Sequence, residues 1–441
     1  MPITKNNLIQ YLKELLVLAI PLFIGNLGHT LIGAADVFVV ARYNIDSLAA
    51  ISIANSVIFT IFILGIGIIT AISIILSHKR GENKTIKKYL PSTLVFSLIL
   101  SILFTIFCYI TKYTIPHLGI ENTLTPFVQE YISIVAFSMF GIFFFEGIKQ
   151  FLQSYEIVKI PNMILLLTVF LNLFLDIVFV FGFGIIPAMG SKGAAIATLI
   201  TRTFMGLVLF IYIFKYINWK EIIDVSYMKN IIKIGLPIGI ALVFEFLAFN
   251  IITILIAREE GILAAVHSIL ITIASATYMI PMSLATAISV KVAFYYGAKQ
   301  PDEIKLYSIV TYSVCLLFMV AIAILLSLFP REILYCFTND INVIKISISI
   351  INIVAIYQLF DGIQAISGGI LRGFKMTKTA SCCVISSYWL IGAPVAYFFV
   401  QKLNYSLKGY WIALAISLIA MGALEAAIAK WKYKKIKQQN P

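Results

Sequence analysis

The chain has 441 residues, of which 61% are hydrophobic and only 12% are charged, and its mean hydropathy is +0.99. This composition excludes the ordinary soluble classes and predicts a protein that crosses a membrane many times. The formal net charge of +13 would suggest nucleic-acid binding in a soluble protein. Here the bases lie in short loops between apolar runs, so we attribute them to membrane topology and expect no nucleic-acid partner.

Charged and turn-forming clusters divide the chain into about twelve apolar segments. A membrane-spanning helix needs about 20 apolar residues, and a lipid-exposed strand or loop would leave backbone groups unpaired. We therefore predict an all-α polytopic membrane protein with twelve transmembrane helices. In chain order, the predicted spans are 15–41, 47–77, 89–111, 126–153, 160–184, 193–217, 233–257, 262–290, 306–329, 344–371, 379–401 and 409–430.

Lys and Arg are distributed unevenly between the two sides of these spans. Of the 33 bases, 24 lie at the termini and in the loops on the same side, eight lie in the other loops, and Arg202 lies within a span. Because Lys and Arg are enriched in cytoplasmic loops, we predict that both termini are cytoplasmic. We expect a multi-pass protein of the plasma (inner) membrane, surrounded by the lipid bilayer.

The two halves of the chain repeat each other. Three pairs of motifs share one constant offset along the chain: Ile20-Pro21 with Leu236-Pro237, Gly81 with Gly297, and Lys192-Gly193-Ala194 with Lys408-Gly409-Tyr410. Six spans per repeat is an even number, so both halves enter the membrane in the same sense, as parallel repeats of secondary transporters do. We therefore predict an N-lobe at 1–214, a cytoplasmic linker at 215–232 and a C-lobe at 233–441.

The most informative residue is Glu245, which is the one ionisable group between Lys233 and Arg258. A carboxylate at mid-membrane costs about 2.5–3.5 kcal/mol on insertion scales, so it needs a partner, a proton or a cation. A buried Glu bonded to a neighbouring helix is the structural alternative. Intramembrane acids nevertheless mark functional sites by default, and we favour a functional role.

Three further acids lie inside predicted spans, and two of them have a polar residue four positions earlier. Asn172 precedes Asp176, Tyr357 precedes Asp361, and Asp36 lies in the first span. Positions i and i+4 share a helix face, so each pair can point into one cavity or bridge two helices. Four acids divided between the two halves favour a site that binds and releases H⁺ or Na⁺.

A carboxyl group in a nonpolar interior can carry a proton, because desolvation disfavours its charged form. Two neighbouring acids titrate jointly and favour one shared proton or one bound cation. Oxygen ligands also suit Na⁺, so the sequence leaves the two ions open. We expect Glu146 and Glu425 to be interfacial, and we leave open the roles of Arg202 and of His29, which the repeat offset pairs with Glu245.

Several catalytic and nucleotide-binding motifs are missing from the sequence. It has no GxxxxGK[ST], HExxH or GxSxG motif, and its five cysteines form no CxxC pair. ATP is therefore not the evident energy source, and neither a disulfide framework nor a zinc site is indicated. We expect a protein that is not an enzyme and that needs no cofactor beyond Na⁺ or H⁺ as the coupling ion.

In combination, these residues resemble the multidrug and toxic compound extrusion (MATE) family. The resemblance rests on two six-span repeats, Asp36 in the first span, Asn172 with Asp176 in the fifth, Glu245 in the seventh and Tyr357 with Asp361 in the tenth. Leu371-Arg372-Gly373 at the end of the tenth span adds to it. Acids in both halves make the chain most similar to the NorM-type branch.

The resemblance implies twelve helices in two bundles around a V-shaped cavity, and export of organic cations in exchange for Na⁺ or H⁺. Glu245, Tyr357 and Asp361 would be cation-coupling residues and a possible Na⁺ site. Asp36, Asn172 and Asp176 would form the matching site of the first half. The chain differs from the family pattern in having Lys149 where the fourth span often has an Arg. We expect small organic cations as substrates and a monomeric protein.

Three rival functions remain in view. A lipid or oligosaccharide flippase of the same wider superfamily would be expected to have more spans and a basic cavity for anionic headgroups. An intramembrane enzyme would need a clustered His/Asp or metal motif. A channel is the weakest rival, because titratable groups lie in both halves of the repeat.

Overall fold

The computed structural model describes residues 5–439, and twelve of its helices are long and apolar enough to cross a membrane. This confirms the predicted number of spans and the all-α class. We number these helices as follows: α1 Lys5–Val40, α2 Ile45–Gly81, α3 Leu90–Thr111, α4 Thr125–Ser154, α5 Lys159–Phe181, α6 Ser191–Phe214, α7 Val225–Glu259, α8 Gly261–Gly297, α9 Pro301–Leu328, α10 Ile341–Gly373, α11 Thr377–Lys402 and α12 Ser406–Gln439.

Helix α7 begins earlier than the sequence predicted. Asp224 Oδ1 accepts a hydrogen bond of 2.8 Å from the backbone N–H of Tyr227, which is one of the N–H groups that a helix start leaves unpaired. This cap allows α7 to start at Val225, so residues 225–232 of the predicted linker are helical. The non-helical connection is residues 215–224.

The chain folds into two compact units. The first unit comprises Ile24–Gly239, and the second comprises the chain up to Phe23 together with the chain from Ile240 onward. The two points where the chain passes between the units are separated by the repeat offset. They follow Pro21 and Pro237, which lie inside α1 and α7 and each remove one backbone hydrogen bond from the helix. The predicted lobes, 1–214 and 233–441, place the boundary in the linker rather than at these two points. They stay a prediction.

Each unit therefore holds the beginning of a helix whose remainder belongs to the other unit. In the first unit, the hydroxyl groups of Tyr227 on α7 and Thr93 on α3 lie 3.0 Å apart. In the second unit, the Tyr11 hydroxyl on α1 donates a 3.1 Å hydrogen bond to Glu303 on α9. Tyr11 and Tyr227 are also related by the repeat offset, so the repeat anchors both helix starts at equivalent positions.

Helices α4 and α6 pack more closely than side chains would allow. A Cβ atom added at Gly141 would lie 2.5 Å from the carbonyl oxygen of Arg202, and one at Gly206 would lie 2.9 Å from the carbonyl oxygen of Gly141. Small residues permit such close backbone approach between membrane helices. This contact holds α6, which carries part of the candidate site described below, against α4.

The Gly141–Gly206 contact predicts a specific loss of stability. Gly141→Ala should lower the free energy of unfolding by about 1–3 kcal/mol, because the new methyl group must push two backbones apart. Thermal unfolding of the purified protein in detergent would measure the loss. Gly33→Ala is the matched control, since an added Cβ there has no neighbour within 4 Å. Equal melting temperatures for the two variants would contradict this account of the packing.

Candidate functional site

The first unit brings together all three residues predicted for its half. Asp36 on α1 and Asn172 and Asp176 on α5 are buried, and the side chains of both other residues interact with Asp36. Thr198 on α6 completes the cluster, because its hydroxyl donates a 2.9 Å hydrogen bond to Asp36 Oδ2. Sequence reasoning had no signal for Thr198, since a lone Thr in a span usually bonds to its own helix backbone.

Most polar atoms of this cluster have no hydrogen-bond partner between residues 5 and 439. These atoms are Asp36 Oδ1, both carboxyl oxygens of Asp176 and both polar atoms of the Asn172 amide. Buried polar atoms are nearly always paired, so a concentration of unpaired oxygens makes this cluster a candidate site for binding a proton or a cation. Two interacting carboxyl groups favour the same conclusion, because they stay close only with a shared proton or a bound cation.

Arg202 lies one helical turn after Thr198 on α6. Its Nη1 atom donates a 2.9 Å hydrogen bond to the Ser138 hydroxyl on α4, and its guanidinium lies 5.9 Å from the Phe62 ring centre. The charge of Arg202 also acts on Asp36. Arg202 is therefore a neighbouring positive charge that is held in place by α4.

The second unit brings together the other three predicted residues. Asp361 and Tyr357 on α10 are 6% and 5% exposed, and the charge of Glu245 on α7 acts on both. Two further tyrosines complete the group. Tyr388 on α11 donates a long hydrogen bond of 3.4 Å to Glu245 Oε1, and Tyr278 on α8 interacts with both carboxyl groups. The site thus has two carboxyl groups and three phenols.

The backbone of α11 explains why Tyr388 reaches Glu245. Residues Ser386–Gly392 form wide π-helical turns just before Pro394, whose ring lacks an N–H and clashes with the preceding turn. The Trp389 indole in the same segment donates a 3.2 Å hydrogen bond to the Phe244 carbonyl, which ties α11 to α7. Pro394 within an apolar span is the sequence signal for this distortion.

A different cluster corrects the expectation that Glu146 is interfacial. Glu146 on α4 is 3% exposed, and its Oε1 atom lies 2.9 Å from Lys149 Nζ and 3.0 Å from His29 Nε2. In the repeat, His29 is equivalent to Glu245, and Glu146 lies next to the position equivalent to Asp361. The two units therefore place different chemistry at nearly equivalent positions: an acid with two bases in one, and two acids in the other.

Glu425 was also expected to be interfacial, and it too is buried. Its side chain on α12 is fully enclosed in the second unit. The apolar residues around it on α12 do not indicate this, because a single acid in a helix can face either protein or an interface. The depth of Glu425 depends on how α12 packs against α10, which only the tertiary structure decides.

The donor atoms of the second-unit site suit a small hard cation or a proton. Among residues 5–439, no group of three or more His, Cys, Asp and Glu side chains could hold a metal ion. Glu245, Asp361 and Tyr357 offer oxygen atoms only, and Na⁺ accepts such ligands. A proton on either carboxyl group would satisfy the same site.

Comparison with known proteins agrees with this architecture. The MatE family profile matches the chain twice, at residues 21–178 and 237–398, and the two matches begin at Pro21 and Pro237, which the repeat offset pairs. This confirms the internal repeat. The probable multidrug resistance protein NorM of Photorhabdus laumondii is 28% identical over 435 residues, covering 95% of each chain. The protein of the same name from Bacillus subtilis is 27% identical and covers 94% of each chain.

Solved structures share the fold. A MOP superfamily transporter from Pyrococcus furiosus superimposes with a TM-score of 0.89 at 20% identity, covering 97% of each chain. The match of the family profile to both halves, the similarity to NorM proteins along nearly the whole chain and the twelve-helix fold agree with one another. This chain therefore belongs to the MatE family of membrane transport proteins, the multidrug and toxic compound extrusion family that its sequence resembles.

Proposed function

We propose that this protein exports small organic cations in exchange for inward H⁺ or Na⁺. The observation that carries the proposal is the pair of Glu245, which is partly buried, and Asp361, which is buried. In the described part of the chain, no ion pair within 4.0 Å joins either carboxyl group to a Lys or Arg. The charge of Arg372 acts on Glu245, but it forms no ion pair with it. Two acids without an ion pair favour a mobile cation, because isolated charges are costly inside a membrane.

The proposed mechanism is competition for negative charge. When a proton or Na⁺ occupies the acids, the affinity for an organic cation falls and the drug is released outside. When the ion leaves, the carboxylates attract the next drug molecule, and the phenol rings of Tyr278, Tyr357 and Tyr388 can contact its charge. Coupling requires that ion and drug favour different states, and a shared site supplies that difference in affinity.

The names of the curated relatives support the substrate class, since both are called multidrug resistance proteins. In the proposed cycle the protein works as a monomer in the plasma membrane, with both termini in the cytoplasm. The positive bases on one side of the helices support that orientation. A flippase for anionic lipids or oligosaccharides would need cationic groups at its binding site, whereas Glu245 and Asp361 are acids.

Lys149 explains why the equivalent site of the first unit need not bind the coupling ion. Its ammonium group and the His29 imidazole both contact Glu146 Oε1, so this acid has a fixed counter-charge in Lys149 and a further hydrogen-bond partner in His29. We propose that Lys149 takes the place that a mobile cation takes beside Glu245 and Asp361. The first unit then contributes to ion binding through Asp36 and Asp176 rather than through Glu146.

The first prediction concerns the acidic pair. Glu245→Gln with Asp361→Asn should abolish export of a fluorescent cation, because neutral amides attract neither ion nor drug. Proteoliposomes with an imposed Na⁺ or pH gradient, tested separately, would measure transport and identify the ion. The control is Asp46→Asn with Glu332→Gln, which changes two exposed acids. Unchanged export by the Glu245/Asp361 variant would rule out the mechanism.

The second prediction concerns Thr198. Thr198→Val keeps the side-chain shape but removes the hydrogen bond to Asp36, which is worth about 0.5–1.5 kcal/mol. The ion concentration for half-maximal drug release should therefore change about 2- to 10-fold. Thr168→Val is the matched control, since its hydroxyl bonds to the Leu165 carbonyl and the Met205 sulfur. The same ion dependence in both variants would exclude Asp36 from ion binding.

The third prediction concerns the Lys149 ammonium group, which is the fixed counter-charge of Glu146. Lys149→Met leaves Glu146 buried without its strongest counter-charge, and breaking such a pair costs about 3–5 kcal/mol of stability. Adding Glu146→Gln should restore most of that loss, because the uncompensated charge is removed. Thermal unfolding of the single and double variants would measure the coupling. Additive effects would show that the two residues act independently.

A further inference from the structure

A polar stripe runs along α10 away from the candidate site. Asp361, Gln364, Gly368 and Arg372 are spaced by three or four residues, so they share one face of the helix. From Asp361 to Arg372 the helix rises about 16 Å. The stripe leads from the acidic pair toward the end of α10 that the distribution of bases predicts to be cytoplasmic.

Glu425 faces the middle of this stripe from α12. A Cβ atom added at Gly368 would lie 3.2 Å from Glu425 Oε2, 3.5 Å from Arg372 Nη1 and 3.5 Å from Gln364 Nε2. Three polar groups from two helices therefore converge on the space that the missing side chain leaves. Glu425 itself is fully buried.

The Glu425 carboxyl group lacks the compensation that Glu146 has. Neither of its oxygens has a hydrogen-bond partner of good geometry between residues 5 and 439. Arg372 and Gln364 are close enough to interact with it, but Arg372 forms no ion pair with it within 4.0 Å. The other titratable groups that act on it or lie near it come from α7, α8, α9 and α11: Glu245, Tyr278, Tyr312 and Cys383.

We propose that Glu425 is a proton-relay residue between the Glu245/Asp361 pair and the cytoplasmic end of α10. This inference rests on the proposed cation-coupled export. The O–H bond of Asp361 breaks, the proton passes through water along the stripe and forms an O–H bond at Glu425 Oε2, and it is then released past Arg372 to cytoplasmic water. Asp361 thereby regains its negative charge for the next drug molecule. Glu425 is neutral while it carries the proton and becomes negatively charged when it releases the proton.

The surroundings of Glu425 favour a proton over Na⁺ as the ion that it carries. Na⁺ needs several oxygen ligands, whereas this site offers one carboxyl group and the Gln364 amide. The guanidinium of Arg372 at the same space would repel a metal cation. A proton needs no such ligand set, and the positive charge of Arg372 assists its release.

Two transport assays in proteoliposomes distinguish a role of Glu425 in proton release from a role in drug binding. Export driven by a pH gradient requires proton release at every cycle, whereas exchange of labelled for unlabelled drug at equal pH does not. Glu425→Gln keeps the side-chain shape but cannot carry a proton. We expect gradient-driven export to fall about tenfold or more, with drug exchange unchanged.

A second variant fills the space beside Gly368 and leaves the Glu425 carboxyl group unchanged. Gly368→Ala places a methyl group between Glu425, Gln364 and Arg372, and it should also slow gradient-driven export while sparing exchange. Gly422→Ala is the matched control on α12, because its new Cβ would meet neighbours only at 3.5 Å or more. This control should behave as the wild type in both assays.

Three outcomes would overturn the relay. The first is that Glu425→Gln exports the drug as fast as the wild type under a pH gradient. The same holds if only a Na⁺ gradient drives the wild type and Glu425→Gln exports as fast as the wild type under that gradient. The second is an equal loss of export and exchange in both Glu425→Gln and Gly368→Ala, which would assign Glu425 a structural role. The third is a wild-type protein that exports under neither gradient, which would also remove the proposed function.

Discussion

The cost of an uncompensated charge in a nonpolar interior governs this structure. Outward faces of the twelve helices are apolar, so every carboxyl group within them must find a proton, a cation or a donor inside the protein. Glu146 has Lys149 and His29, whereas the Thr198 hydroxyl satisfies only one of the two carboxyl oxygens of Asp36. In the proposed function, the acids whose compensation is incomplete are the ones that respond to a mobile ion.

The repeat makes this contrast between the two units direct. Nearly equivalent positions on α1 and α7, and on α4 and α10, hold His29 and Glu146 in one unit and Glu245 and Asp361 in the other. The first pair is neutralised by Lys149 from the same helix as Glu146. One duplicated scaffold thus holds an acid with a fixed counter-charge in one unit and a pair of acids without an ion pair in the other, and the proposed function assigns ion coupling to that pair rather than to Glu146.

The same reasoning extends the second-unit site beyond the residues proposed to bind the ion. A carboxyl group reached by a proton in mid-membrane is useful only if the proton can leave again. In the proposed relay, the stripe from Asp361 to Arg372, with Glu425 facing its middle, lines the route of that proton. The absence of a side chain at Gly368 leaves space between Glu425, Gln364 and Arg372, where α10 and α12 meet.

The sequence by itself determined the class, the number of helices, the repeat and six polar residues that the two units bring together, because hydropathy and the cost of intramembrane acids act locally. It did not identify Thr198, Tyr278 or Tyr388, whose partners lie on other helices and whose residue types are common in spans. It also misplaced Glu146 and Glu425. Whether an acid near a helix end faces protein or an interface depends on helix rotation and packing, and only the tertiary structure decides both.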